Sequence, residues 1–144
     1  MFKVTLKYPN FLGNEVEDTF RFNFTEDEML KLAAEDPEFN AEYISTMMHE
    51  EQLMKMYMLL RKLVVLSYGE MSEDAKHFRK NEQITTDFMQ SAAFDKIIDL
   101  FTGDNAEKTI QDFVYNVFPS KFAEELKKRN LTNVKTIEDF KKQV

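Results

Sequence analysis

The chain has 144 residues, enough for one domain with a real core, and its 43% hydrophobic and 31% charged residues are an ordinary balance for a soluble protein. It has no cysteine, which removes disulfides, zinc–thiolate sites and thiol nucleophiles and fits a reducing cytoplasm. Its net charge of −7 is uneven: residues 120–144 hold seven Lys/Arg against four Asp/Glu, a local +3, which leaves −10 on residues 1–119 and argues against wrapping nucleic acid.

Val4, Leu6 and Tyr8 alternate with Lys3, Thr5 and Lys7, and Phe20, Phe22 and Phe24 alternate with Arg21 and Asn23. Both runs read as half-buried strands, near residues 2–8 and 16–24, with the three Phe rings on one face. Pro9-Asn10 and Gly13-Asn14 punctuate the loop between them, giving a β-hairpin. A lone hairpin is marginal in water, so it must pack on helices or further strands, and its edges are templates for another chain.

Thr25-Glu26-Asp27-Glu28 has the spacing of a capping box, and Met29, Leu30, Leu32 and Ala33 supply the apolar face of the helix it opens. Asp36-Pro37 ends that helix. A single long helix is then expected over residues 38–67. Phe39, Tyr43, Met47, Met54, Met58 and Val65 recur at helical intervals, with the polar cluster His49-Glu50-Glu51-Gln52 midway. Such a helix would be a rod of about 42 Å, long for a domain of this size. Gly69 is expected as its left-handed C-terminal cap.

Residues 70–83 read as a polar connection with Phe78 as its one large apolar residue; long loops of this kind are usually functional or partner-bound. Thr85 or Thr86 is expected to cap the next helix, whose buried side is Phe88, Ala92, Ile97, Ile98 and Phe101. Thr102-Gly103-Asp104-Asn105 breaks it. A helix over 106–117 buries Ile110, Phe113, Val114 and Val117 and stops at Pro119. Residues 120–129 and 136–142 read as two short helices. The fold class is therefore α+β: an N-terminal hairpin (1–24) packed with a mainly helical body (25–119) of about five to six helices, followed by a basic helical extension (120–144).

Little here points to catalysis. His49-Glu50-Glu51-Gln52-Leu53 begins like a zinc-protease motif but lacks the second histidine. Three glycines cannot build a phosphate-cradling loop, and no serine has a histidine partner arrangement. No catalytic, metal or cofactor residue is expected. Phe20-Arg21-Phe22 pairs aromatic and basic residues as a single-stranded nucleic-acid site would, but its rings share the expected core face. The longest apolar run, Leu63-Val64-Val65-Leu66, is far too short for a bilayer, and no signal peptide is visible. Candidate partner-contact residues are Met54 and Met58, because methionine adapts to varied partners, and Tyr68 and Phe78 at the polar connection.

One stretch points further. Leu66-Ser67-Tyr68-Gly69-Glu70-Met71-Ser72-Glu73-Asp74, His77-Phe78-Arg79-Lys80, Asp87-Phe88-Met89-Gln90-Ser91-Ala92-Ala93-Phe94 and Phe113-Val114-Tyr115-Asn116-Val117-Phe118-Pro119 follow one another in that order. With Phe2-Lys3-Val4-Thr5-Leu6-Lys7-Tyr8-Pro9-Asn10 and the Leu12-Gly13-Asn14-Glu15-Val16-Glu17 run, they resemble the tail assembly chaperones of long-tailed bacteriophages over residues 1–119. The chain departs from the family pattern at Ala75, where a Gly is usual, at Gln90-Ser91 in place of Gln-Thr, and at Asn116-Val117-Phe118-Pro119. The resemblance implies a non-enzymatic protein in the infected cell's cytoplasm that binds the tape-measure protein or tail tube subunits during tail assembly. It also implies a longer frameshifted form, for which the Lys141-Lys142 codons are candidates. Separately, the long helix over residues 38–67 carries more apolar surface than one small domain buries, so homo-oligomers that pair through this helix or the hairpin edge are expected. A permanent virion component and an effector that binds a host protein remain alternatives.

Overall fold

The computed structural model describes residues 1–49 and 53–129. Strands β1 (Phe2–Pro9) and β2 (Glu15–Phe22) form the expected antiparallel hairpin, in the register Phe2↔Phe22 through Pro9↔Glu15. Phe20, Phe22 and Phe24 are buried on one side, with Phe22 fully enclosed. Helix α1 (Glu26–Glu35) opens with the expected box: Thr25 Oγ1 accepts from Glu28 N, and Glu28 Oε1 accepts from Thr25 N.

The chain from 38 to 67 departs from the single rod. It forms α2 (Ala41–His49) and α3 (Leu53–Ser67). Lys62, on α3, ion-pairs with Asp36, stands 3.7 Å from Glu38, and lies 5.0 Å from the Phe39 ring centroid. In one rod, residues 38 and 62 would be about 36 Å apart. The physical reason is area. Ile44, Met47 and Met48 of α2 and Met56, Leu60 and Leu63 of α3 are buried in a common core, which folding back allows and a projecting rod would not. Residues 50–52, the polar midpoint, lie outside the described residues.

Gly69 is not a helix cap. Its φ is not positive, and it sits buried in β3 (Tyr68–Met71), which pairs with β2 through Phe22↔Tyr68. Nor is the polar connection wholly irregular. It returns as β4 (Phe78–Arg79), giving a four-stranded sheet in the order β1-β2-β3-β4. Ser72 and Asp74 shape the turn: Ser72 Oγ donates to Asp74 at 2.6 Å, Asp74 Oδ1 accepts from Lys76 N, and Ala75 takes a φ of 59°. Side-chain oxygens that capture backbone N–H groups this way make a turn that apolar periodicity cannot reveal.

Helix α4 (Glu82–Met89) is capped by Asn81, whose Oδ1 accepts from Ile84 N at 2.8 Å, and not by Thr85 or Thr86, which lie inside it. Phe88 and Phe101, expected on one helix, belong to α4 and α5 (Ala93–Thr102). The chain turns between them so that Phe88 meets Phe94 edge-on. Helix α6 (Ala106–Val117) buries Ile110, Phe113, Val114 and Val117 as expected. Helix α7 (Ser120–Lys128) places Leu126 in the same core. The expected helix at 136–142 and the Lys141-Lys142 end lie outside the described residues. The core is an aromatic layer between the sheet and α4, α5 and α6: Phe113 meets Phe2 at 5.3 Å and Phe22 at 6.1 Å, both edge-to-face. No helix among the described residues is long and apolar enough to cross a membrane.

Candidate partner-binding surface

Folding α2 back on α3 leaves an open groove of about 870 Å³ beside the pair. Its floor is apolar, built from Met47, Leu59, Val65 and Leu66, and Met54 and Met58 stand over it. Those two are 68% and 55% exposed, although they belong to the same helix as the enclosed Leu63 and Val64. The i, i+4 spacing puts both on one face of α3. The rim is cationic. Among the described residues, Lys55, Arg61 and Lys62 line it with one carboxylate, Glu38, and Lys62 is also paired with Asp36 behind the rim, on a chain that is acidic overall.

Lys62 closes one side. The neighbouring Asp36 carboxylate raises its pKa, and Lys62 in turn holds the Asp36 carboxyl below its ordinary range, helped by the Glu38 backbone N–H. Tyr43 donates its hydroxyl to Glu38 at 3.1 Å, so the rim residues of α2 and α3 are tied together. Arg61 lies over the Phe94 ring at 5.4 Å, which anchors the α3 rim to α5.

The four candidate residues do not form one surface. Met54 and Met58 lie together on the groove. Tyr68 faces the core: its ring stacks on Phe88 at 3.9 Å, and burial raises its pKa. Phe78 lies on the opposite face of the sheet, because it pairs with Met71 while Tyr68 pairs with Phe22. There it covers Gly69. Both rings are packing residues first, half-buried by their own sheet.

Sequence reasoning missed the tip of the first hairpin. Phe11 and Leu12 are 83% and 87% exposed, the largest exposures among the large apolar side chains described. The turn beneath them is well tied. Asn10 Oδ1 accepts from Leu12 N and Asn14 N, each at 3.0 Å, Asn10 N donates to the Asn14 carbonyl at 2.8 Å, and Gly13 takes a φ of +84° that only glycine adopts without strain. Two large apolar residues between Pro9-Asn10 and Gly13-Asn14 were the signal, hidden by reading the segment only as punctuation.

Two other hollows offer less. A void of about 10 Å³ between α3 and α5, lined by Met56, Leu60 and Phe101 among others, holds no more than a water. A cleft of about 280 Å³ beside α1 is bounded by Lys80, whose Nζ donates to Glu28 at 2.7 Å and to the Asn23 carbonyl at 2.5 Å. Burial lowers the Lys80 pKa, with Glu28 partly offsetting it. Among the described residues no group of three or more His, Asp or Glu side chains could hold a metal ion.

Residues 1–143 match the family model described as phage tail assembly chaperone, well past Pro119. No curated protein and no solved structure matches the chain.

Proposed function

We propose a specific task for this chain, which belongs to the phage tail assembly chaperone family. Its α2–α3 groove holds apolar helical segments of a tail protein, the tape-measure protein or the tail tube subunit, while the tail is built, and the chaperone then leaves. The observation that supports this reading is the pair Met54 and Met58, exposed above an open apolar groove. An amphipathic helix is the partner such a groove fits, with its apolar stripe on the methionines and its acidic residues on Lys55 and Arg61.

The magnitudes suit a chaperone. Burying what is still exposed of the two methionines yields about 2–4 kcal/mol gross. Association itself costs several kcal/mol, so one groove binds weakly. Many copies on one long client hold it through multivalency and still come off one by one. The role asks for no catalysis and no cofactor. Its site of action is the cytoplasm of the infected cell, on protein, with neither nucleic acid nor membrane as partner.

The test is co-expression of the tape-measure protein with this chain, wild type or Met54→Asp/Met58→Asp. The wild type should keep the client soluble and co-purify with it, and the double variant should not. Equal rescue by both sinks the groove. Stoichiometric copies of the chain in purified mature particles would replace the chaperone role with that of a virion component.

A further inference from the structure

The groove is apolar with a cationic rim, the hairpin tip is apolar with acidic residues beside it, and the two sit on different parts of the chain. We infer that Phe11 and Leu12 of one copy insert into the α2–α3 groove of a second copy, so that the chain self-associates head to tail.

The tip is a knob in search of a hole. Single exposed apolar residues are normal, but adjacent Phe and Leu at the end of a tied turn make a projecting apolar surface. The Asn10 hydrogen bonds fix the turn before contact, so docking orders little backbone and loses little entropy. Their exposure also shows that the molecule does not fill its own groove with them. The groove is apolar at the floor and open above. Among the described residues, Lys55, Arg61 and Lys62 on its rim outnumber Glu38 and the Asp36 that pairs with Lys62, whereas the hairpin end opposes Glu15, Glu17 and Asp18 to Lys7. An acidic knob meets a basic socket, on a chain whose net charge of −7 otherwise makes copies repel.

The competing route, pairing of β1 edges, is guarded. A second β1 laid antiparallel about Thr5 would set Lys3 directly against Lys7 on the exposed face, the device by which edge strands avoid one another. A knob and a socket on different surfaces give a heterologous contact, which propagates into rings or open filaments. Self-association would occupy the groove proposed above for the client, so the assembled form is the resting form. The inference stands on the tip, and its test contains no client: its failure leaves the client reading intact.

The experiment is sedimentation velocity on three full-length proteins across the micromolar range: wild type, Phe11→Asp/Leu12→Asp, and Met54→Asp/Met58→Asp. All four side chains are exposed, so both variants should melt like the wild type. Wild type should show a sedimentation coefficient that rises with concentration, and each variant should need at least about a hundredfold more protein to associate. The decisive arm mixes the two variants. One keeps its socket and the other its knob, so together they should form a one-to-one dimer and nothing larger. A wild type that stays monomeric at high micromolar concentration, a variant that associates like the wild type, or a mixture that stays monomeric where the wild type associates would each overturn the inference.

Discussion

Gly69 is where the second hairpin is most sensitive. A Cβ placed on it would stand 2.6 Å from Phe78 Cε2, 2.9 Å from Phe78 Cζ and 2.9 Å from the Arg79 carbonyl oxygen. Carbon atoms in contact prefer about 3.5–4.0 Å, so the ring would have to retreat by about 1 Å. The half-buried ring can give way, but the carbonyl is fixed in the pairing of Glu70 with Arg79. Overpacking of this kind costs about 1–3 kcal/mol, and a backbone obstacle argues for the upper half. Against it stands the entropy that alanine removes from the unfolded chain, about 0.4–1 kcal/mol in favour of the variant. Repulsion wins, and Gly69→Ala should lose about 1–2.5 kcal/mol, a fall in melting temperature of about 4–10 °C for a domain of this size. Thermal unfolding followed by far-UV circular dichroism reads it. In a Phe78→Ala background the two ring contacts are gone and only the carbonyl remains, so the same change should cost measurably less. A Gly69→Ala protein that melts with the wild type, or an equal loss in both backgrounds, would refute the close approach.

Glu28→Gln keeps the capping bond to Thr25 N but removes the charge facing Lys80, whose side chain is only 18% exposed. With Glu28 itself a third exposed, urea unfolding should show a loss of about 1–2 kcal/mol, largely absent when Lys80→Met is added. Burial lowers the Lys80 pKa, so the unfolded chain binds that proton more tightly, and the group's contribution to stability rises as pH climbs from the depressed value towards 10.5; the difference between wild type and Lys80→Met should show that rise. Tyr8 donates its hydroxyl to the Asp18 carboxylate, which pushes its pKa up to about 12. Ultraviolet titration, with Tyr8→Phe as the difference, should find this step, and Asp18→Asn should bring it back towards 10.0; an unmoved step would remove the hydrogen bond from the account.

Alternation made the first hairpin legible because a strand with one buried face leaves no choice of register, and Phe20, Phe22 and Phe24 are buried together as it required. The capping box at Thr25 was legible because both its partners are local. What failed was long-range. A helical stripe from Phe39 to Val65 has the same period whether the helix runs on or folds back, and long-range contacts such as the ion pair of Lys62 with Asp36 tell them apart. Gly69 satisfies two patterns, helix cap and tight strand, and the choice fell to β2, which lies far off in sequence. Of the candidate site, residue chemistry pointed to Met54 and Met58, which are exposed at the groove, while Tyr68 and Phe78 were chosen for standing beside an apparent loop that is in fact a hairpin.

The position of that hairpin bears on the groove. Helix α3 runs without a break into β3, and the joint is fixed on several sides. Asn23 N donates to the Ser67 carbonyl at 2.9 Å, Ser67 Oγ donates to the Val64 carbonyl at 3.2 Å, and Tyr68 is stacked on Phe88. The helix that presents Met54 and Met58 is therefore anchored in the sheet at its C-terminal end and to α5 through Arg61. A partner meets a backbone already in place, so little conformational entropy is lost on docking. Adaptation is left to the methionine side chains, which re-pack at low cost around different apolar shapes. A rigid helix with soft side chains suits a surface that must take successive segments of a long client, and a neighbour's Phe11 and Leu12 when no client is present.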